Sequence, residues 1–184
     1  MRNEQQPYGQ RQTDLTVIQT GLETGVKTYI IMSPLIFGLG TGYFNKLSIQ
    51  VPSMIRSAIK AQQVEIIADG KGTWDDVHVE DLAMLYEIFV VKILDGEELT
   101  SGERGIYFSE NGSHTWRELA EGLADALFTL RVSETEKVKS ISLDEAAHKW
   151  AGGDKLLAEL GFASKYMILV SFMKYADADI SLLA

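Results

Sequence analysis

The residues best placed to do chemistry lie between Asp69 and Phe89, in the stretch DGKGTWDDVHVEDLAMLYEIF. Asp75, Asp76, Glu80 and Asp81 form an acidic cluster around His78, with Trp74 beside it. One of these carboxylates could orient a loop or a substrate hydroxyl, and a histidine is the side chain most easily set to exchange a proton near neutral pH. The same residues have plainer uses. His78 sits between two valines, the setting of a buried, hydrogen-bonded structural histidine. Asp81, three residues on, suits the first turn of a helix, where a carboxylate meets the positive end of the dipole. His78 and Asp81 are therefore read as structural, with a site role for the histidine as the alternative. Trp74 could stack on a ligand or plug the core. The stretch as a whole is expected at the floor of a small-molecule site. No metal is expected, because His114 and His148 stand alone without ligand spacing.

The elements around this stretch follow an α/β rhythm. Leu15, Ile18 and Leu22 recur at helical spacing after Thr13 or Asp14, either of which could cap the helix. Gly25 falls where a C-terminal glycine belongs. Val26–Met32 reads as a strand inside a parallel sheet, ended by Pro34. A second helix spans 48–62, with Pro52 near its first turn and Ile55, Ala58 and Ile59 facing inward. Val64–Ile67 is a short strand. Leu82, Leu85, Tyr86, Phe89, Val90 and Ile93 then make the most regular amphipathic pattern of the chain. Gly105–Ser109 is a strand, and Thr115 with Glu118 is a capping box. The helix it opens carries Trp116, Leu119, Ala120, Leu123, Leu127 and Leu130 on one face. Leu143–Trp150 and a segment around 156–160 are short helices.

Between Pro34 and the second helix lies LIFGLGTG, with glycines at 38, 40 and 42. A dinucleotide loop needs G-x-G-x-x-G opening directly into a helix. Position 43 is Tyr and no helix opens there, so this run reads as a ligand-facing crossover loop or a plain turn.

Bulk properties narrow the function class. The 184 residues suit one domain or a large piece of one, and 46% hydrophobic content suffices for a core. A net charge of −9 with no basic block excludes phosphate-backbone binding as the main role, so no nucleic acid partner is expected. No apolar run is long enough to span a bilayer, and no membrane partner is expected. The absence of cysteine fits a reducing, cytoplasmic compartment. The N-terminus lacks the apolar region of a signal peptide.

Taken together, TYIIMSPLIFGLGTG, VEIIADG and especially WDDVHVEDLAMLY resemble the C-terminal half of an extended short-chain dehydrogenase/reductase. The nearest likeness is to fungal NAD-dependent epimerase/dehydratases, also called nucleoside-diphosphate-sugar epimerases, and it covers roughly residues 7–164. It implies an incomplete NAD(P)-binding Rossmann-type sheet plus a small α/β substrate-binding lobe. Residues 165–184 are an atypical apolar tail. The resemblance places Tyr8 at the catalytic tyrosine. It puts the nicotinamide end of NAD or NADP beside Ser33, Pro34 and Leu35, and the small-molecule substrate near Phe44, Asn45, Gln50 and Trp74. Helix entry and lobe packing are the other reading of Phe44, Asn45 and Gln50. The parent enzyme would be an oxidoreductase or epimerase, with room for a homodimer. Several departures accompany the match. The glycine-rich cofactor loop is absent, and Gln12 stands where lysine follows the tyrosine. That lysine lowers the tyrosine pKa, so Tyr8, with an ordinary pKa of about 10, would be a poor base. Trp74 occupies a slot that arginine fills in sugar-nucleotide enzymes. These features lead to the expectation of a truncated piece, inactive and without cofactor by itself, or of a degenerate binding or regulatory protein.

Overall fold

A computed structural model describes residues 9–163 of the chain. In chain order its elements are α1 (Gly9–Thr24), β1 (Ile30–Met32), β2 (Leu35–Phe37), α2 (Gln50–Ala61), β3 (Glu65–Ile67), β4 (Thr73–His78) and α3 (Val79–Leu94). There follow β5 (Ile106–Phe108), β6 (Gly112–Thr115), α4 (Trp116–Thr129), β7 (Lys139–Ile141), α5 (Leu143–Trp150) and α6 (Lys155–Phe162). The architecture is α/β, as expected. The chain falls into two compact units, and the tail 165–184 lies outside the described residues.

The first unit takes residues up to Met32 together with Met84–Ser109. Helix α1 begins earlier than the sequence suggests, so Thr13 and Asp14 lie inside it rather than at its start. Of its expected stripe only Ile18 is buried, while Leu15 and Leu22 are exposed. Its end is as foreseen. Gly25 takes a left-handed φ of 71°, and the Val26 N–H returns to the Gly21 carbonyl at 3.0 Å. That bond satisfies one of the helix's last carbonyls. The strand expected over 26–32 shrinks to β1, which pairs in parallel with β5, Ile30 opposite Ile106 and Met32 opposite Phe108. Phe89 of α3 meets Tyr107 edge-on at 4.5 Å and Tyr29 at 6.4 Å. Of the predicted α3 face, Leu82 is buried as expected and Leu85 half-buried, but Tyr86, Val90 and Ile93 are exposed, as are Met84, Ile88 and Val91. Apolar residues lie on nearly every side of this helix, so spacing alone does not single out the buried one.

The second unit takes residues 33–83 and continues from Glu110. Pro34 separates two strands rather than ending one in a loop, because β2 resumes at Leu35. Strand β4 is central in a three-stranded sheet, parallel to β2 and antiparallel to β6. Strands β3 and β7 form a separate parallel pair. Helices α2, α4, α5 and α6 supply a core that includes Leu35, Met54, Ala58, Ile66, Trp116 and Phe162. Trp116 is the largest side chain wholly withdrawn from solvent. In α2, Met54 and Ala58 face the core, whereas Ile59, expected inward, is exposed.

Two helix starts in this unit are locally dictated. The Thr115–Glu118 capping box forms as read, and Ser142 with Glu145 makes a second one at α5. Each box satisfies otherwise orphaned N–H groups and is worth about 1 kcal/mol. Strand β3 buries Glu65, both of whose carboxylate oxygens accept from Lys149 Nζ at 2.7 Å; Lys139 Nζ lies 3.4 Å away. The ion cluster ties α5 and β7 to β3.

Candidate functional site

The glycine turn at 69–72 serves the fold. Gly70 has a φ of 65°, and a Cβ there would lie 3.1 Å from the Arg117 backbone nitrogen. The carbonyls of Gly72 and Gly70 accept from the N–H groups of Trp116 and Arg117 at 3.0 and 2.9 Å. Arg117 Nε also donates to the Asp69 carbonyl at 2.9 Å. The turn thus takes up the first amides of α4. Within it, the Lys71 N–H donates to Asp69 Oδ1, which holds the Asp69 carboxyl below the usual carboxylate range.

Trp74 opens β4 and packs its ring 5.5 Å from Trp116 against the core. His78 ends β4 half-buried. Its ring lies edge-on to Phe37 at 5.2 Å, and Nδ1 accepts from the Glu80 N–H at 3.3 Å. The histidine therefore caps the start of α3, with Nε2 carrying the proton in the neutral ring. Asp81, in the first turn of α3, accepts from Asn111 Nδ2 at 2.9 Å. Both side chains bond to the backbone or a neighbouring side chain at the start of α3.

The remaining predicted site residues are scattered. Leu35 and Pro34 are buried, Leu35 within the core cluster, and Ser33 is half-buried. Phe44 is 87% exposed and Asn45 is exposed at a φ of 49°, both in the loop between β2 and α2. Gln50 Nε2 donates to the Gly161 carbonyl at 2.7 Å and so joins α2 to α6. Tyr8 lies outside the described residues. The glycine run does not open a helix, since α2 begins only at Gln50. Gly38 is needed for another reason. Its φ is 98°, and a Cβ there would fall on the His78 ring.

The tertiary structure does assemble a polar pair in a cleft, and it is one that motif spacing misses. Strands β4 and β6 pair with Trp74 opposite His114 and Asp76 opposite Gly112. Asp76 and His114 are therefore diagonal neighbours on one face. His114 Nδ1 meets Asp76 Oδ2 at 2.6 Å, with the two side chains only 16% and 20% exposed. Gly112 makes room, because a Cβ at that position would come within 2.7 Å of Asp76 Oδ1. The pair lies in a cleft of about 430 Å³, walled by Leu35, Phe37, Val51, Leu119 and Leu123. Glu118 also borders it, but its carboxylate is held by Thr115 N–H and Oγ1 at 2.7 and 2.8 Å, and these bonds keep its pKa below the usual range. His114 Nε2 is buried and has no partner among the described residues. Such an orphaned group costs about 1–3 kcal/mol unless something meets it. No group of His, Cys, Asp and Glu among the described residues could hold a metal. The only signal of this pair in the sequence is the alternation of Trp74 and Asp76 in one strand, combined with a glycine turn two residues before His114.

Comparison with known proteins places the chain by its fold. No protein-family model matches it. Oxidase ucsJ of an Acremonium species is 24% identical over 130 residues, 66% of this chain and 37% of that relative. DesIV of Streptomyces venezuelae, a dTDP-glucose 4,6-dehydratase solved with NAD and TYD, is 18% identical with a TM-score of 0.51. The match covers 89% of this chain and 47% of DesIV. The PbgP3 protein of Burkholderia pseudomallei is 16% identical with a TM-score of 0.54, covering 89% of this chain and 49% of that one. The fold is that of the NAD-dependent epimerases and dehydratases of the extended short-chain dehydrogenase/reductase type. The chain spans about half the length of these structures or less. No described helix is long and apolar enough to cross a membrane.

Proposed function

We propose that this chain is part of an NAD(P)-dependent oxidoreductase or epimerase acting on a small carbonyl or sugar-like substrate, with residues 33–83 and 110–163 belonging to the substrate-binding lobe. The observation that carries this reading is the fold match to DesIV over 89% of the chain, together with the WDDVHVEDLAMLY segment that resembles the same family. In such enzymes the nicotinamide takes or gives hydride while a side chain moves a proton. Ser33, Pro34 and Leu35 stay the proposed cofactor-side residues of such an enzyme, where β1 gives way to β2, and the glycine run after β2 opens no helix. No catalytic step is assigned to the described residues. In a parent enzyme, Tyr8 is the proposed proton-transfer residue.

A second reading, a binding or regulatory protein without turnover, is favoured by Gln12 in place of lysine and by Trp74 in place of arginine. NADH and NADPH fluorescence titrations test the assignment. The chain should show no saturable binding below about 1 mM. Tight binding would mean that these residues hold the cofactor after all. In the full-length parent, Tyr8→Phe should abolish turnover under the enzyme reading and leave ligand binding unchanged under the other.

A further inference from the structure

We propose that the loop between β2 and α2, together with the outer face of α2, is a docking surface for an anionic lipid bilayer. The proposal does not rest on the oxidoreductase reading, and its test needs no cofactor. No spanning helix is involved, because a segment lying at the interface enters only the headgroup region and the adjoining acyl chains.

The first observation is what the loop shows to solvent. Tyr43 is 96% and Phe44 87% exposed, and Leu39, Leu47 and Ile49 are 65, 61 and 79% exposed. Single exposed apolar residues are ordinary, but five within the eleven positions from 39 to 49 form a patch of the kind that marks a contact site. The second observation is that the tip is built. The Gly40 N–H donates to the Lys46 carbonyl at 2.9 Å, and Asn45 takes a left-handed φ of 49°. The turn closed in this way carries the aromatic pair.

The third observation is charge. The chain has 26 acidic residues and a net charge of −9, yet none of those acids lies between Glu23 and Glu65. Within that stretch the loop and α2 carry Lys46, Arg56 and Lys60, all exposed and in no ion pair among the described residues. Arg56 Nη2 donates to Ser53 Oγ at 2.9 Å, so its head lies back toward the first turn of α2, where the loop ends. Ile49, Ser53, Arg56 and Lys60 recur at i, i+4, i+7 and i+11 and share one stripe of the helix. Glu80, whose carboxylate lies 4.0 Å from His78 Nδ1, stands at the base of the loop, where His78 meets Gly38. The three cations outnumber it.

This set matches a bilayer surface. Aromatic and aliphatic side chains enter the interface, and lysine and arginine meet the phosphates of anionic lipids. A second copy of this chain fits less well, since a two-fold contact would set the same unpaired cations against one another.

The test sediments the whole chain with phosphatidylcholine vesicles, with and without about 30 mol% phosphatidylserine, at about 0.1 M salt. Expected is saturable binding to the anionic vesicles about tenfold or more tighter than to phosphatidylcholine alone, and a loss of similar size at about 0.5 M salt. Lys46→Gln should weaken binding about fivefold. Tyr43→Ser combined with Phe44→Ser should weaken it about tenfold or more. Circular dichroism checks that this variant is folded, and Phe44→Trp gives a second, conservative measurement. Its added emission should shift to the blue on anionic vesicles and be quenched by brominated acyl chains, with the native chain as the reference. Absence of binding to anionic vesicles, binding that survives loss of both aromatics, or an unmoved Trp reporter would overturn the proposal. Self-association that the double substitution abolishes, without vesicle binding, would assign the patch to a second copy and overturn it as well.

Discussion

Gly38→Ala is the most informative perturbation of the β2–β4 sheet. Gly38 follows β2 with a φ of 98°, and an alanine held there costs about 1–2 kcal/mol of backbone strain. The added Cβ would also lie 2.7 Å from His78 Cδ2 and closer still to Nε2, so the imidazole must rotate away. Rotation forfeits the bond from the Glu80 N–H to Nδ1, worth about 1 kcal/mol as a helix cap. It also forfeits the edge-on contact with Phe37, worth about 0.5–1 kcal/mol. The total loss is about 3 kcal/mol, of which roughly half passes through His78. Urea unfolding followed by tryptophan fluorescence measures it in the right place, because all three tryptophans lie in the unit that holds Gly38. In a His78→Ala background the same glycine substitution should cost only the backbone part, about 1–2 kcal/mol. An equal loss in both backgrounds would refute the steric link between Gly38 and His78. A loss below about 0.5 kcal/mol would refute the strain as well.

The buried Glu65 predicts an asymmetry: Lys149→Met leaves a withdrawn carboxylate with only Lys139 at 3.4 Å and should cost about 3 kcal/mol, whereas Glu65→Leu frees two partly exposed lysines and should cost about 1 kcal/mol in the same urea assay. Thr115→Ala removes the α4 cap and should lower stability by about 1 kcal/mol. Glu118 gives that cap a pH signature. Its folded pKa lies below the ordinary value of 4.5, chiefly through the Thr115 N–H bond and then the Thr115 hydroxyl. Its contribution is therefore complete above the unfolded value and is lost as pH falls through the lower folded one. Glu118→Gln should be less stable than the native chain at neutral pH, and the gap should close on acidification below about pH 4; a gap independent of pH would contradict this.

What the sequence discloses divides along physical lines. Short-range features are legible because they depend on neighbours a few residues apart. The Thr115–Glu118 box, the left-handed Gly25 and the helix at 143–150 all form where their local chemistry places them. The strands β2, β6 and β7, of three or four residues each, are harder to read, since so short a segment carries little alternation and forms only when a partner is present. The buried side of α3 is not legible for a related reason: Tyr86, Val90 and Ile93 have helical spacing yet are exposed, because burial depends on what packs against them.

The site shows the same split. By itself, the sequence determined the α/β class, the glycine turns, the helix caps and the acidic run around His78, all of which are local. Only the tertiary structure decided which of those polar groups meet. It turned His78 into a cap at α3, set Trp74 against Trp116, and paired Asp76 with His114, 38 positions further along the chain. A strand register, fixed by long-range pairing, determines which side chains share a face, and no spacing along one strand contains that information.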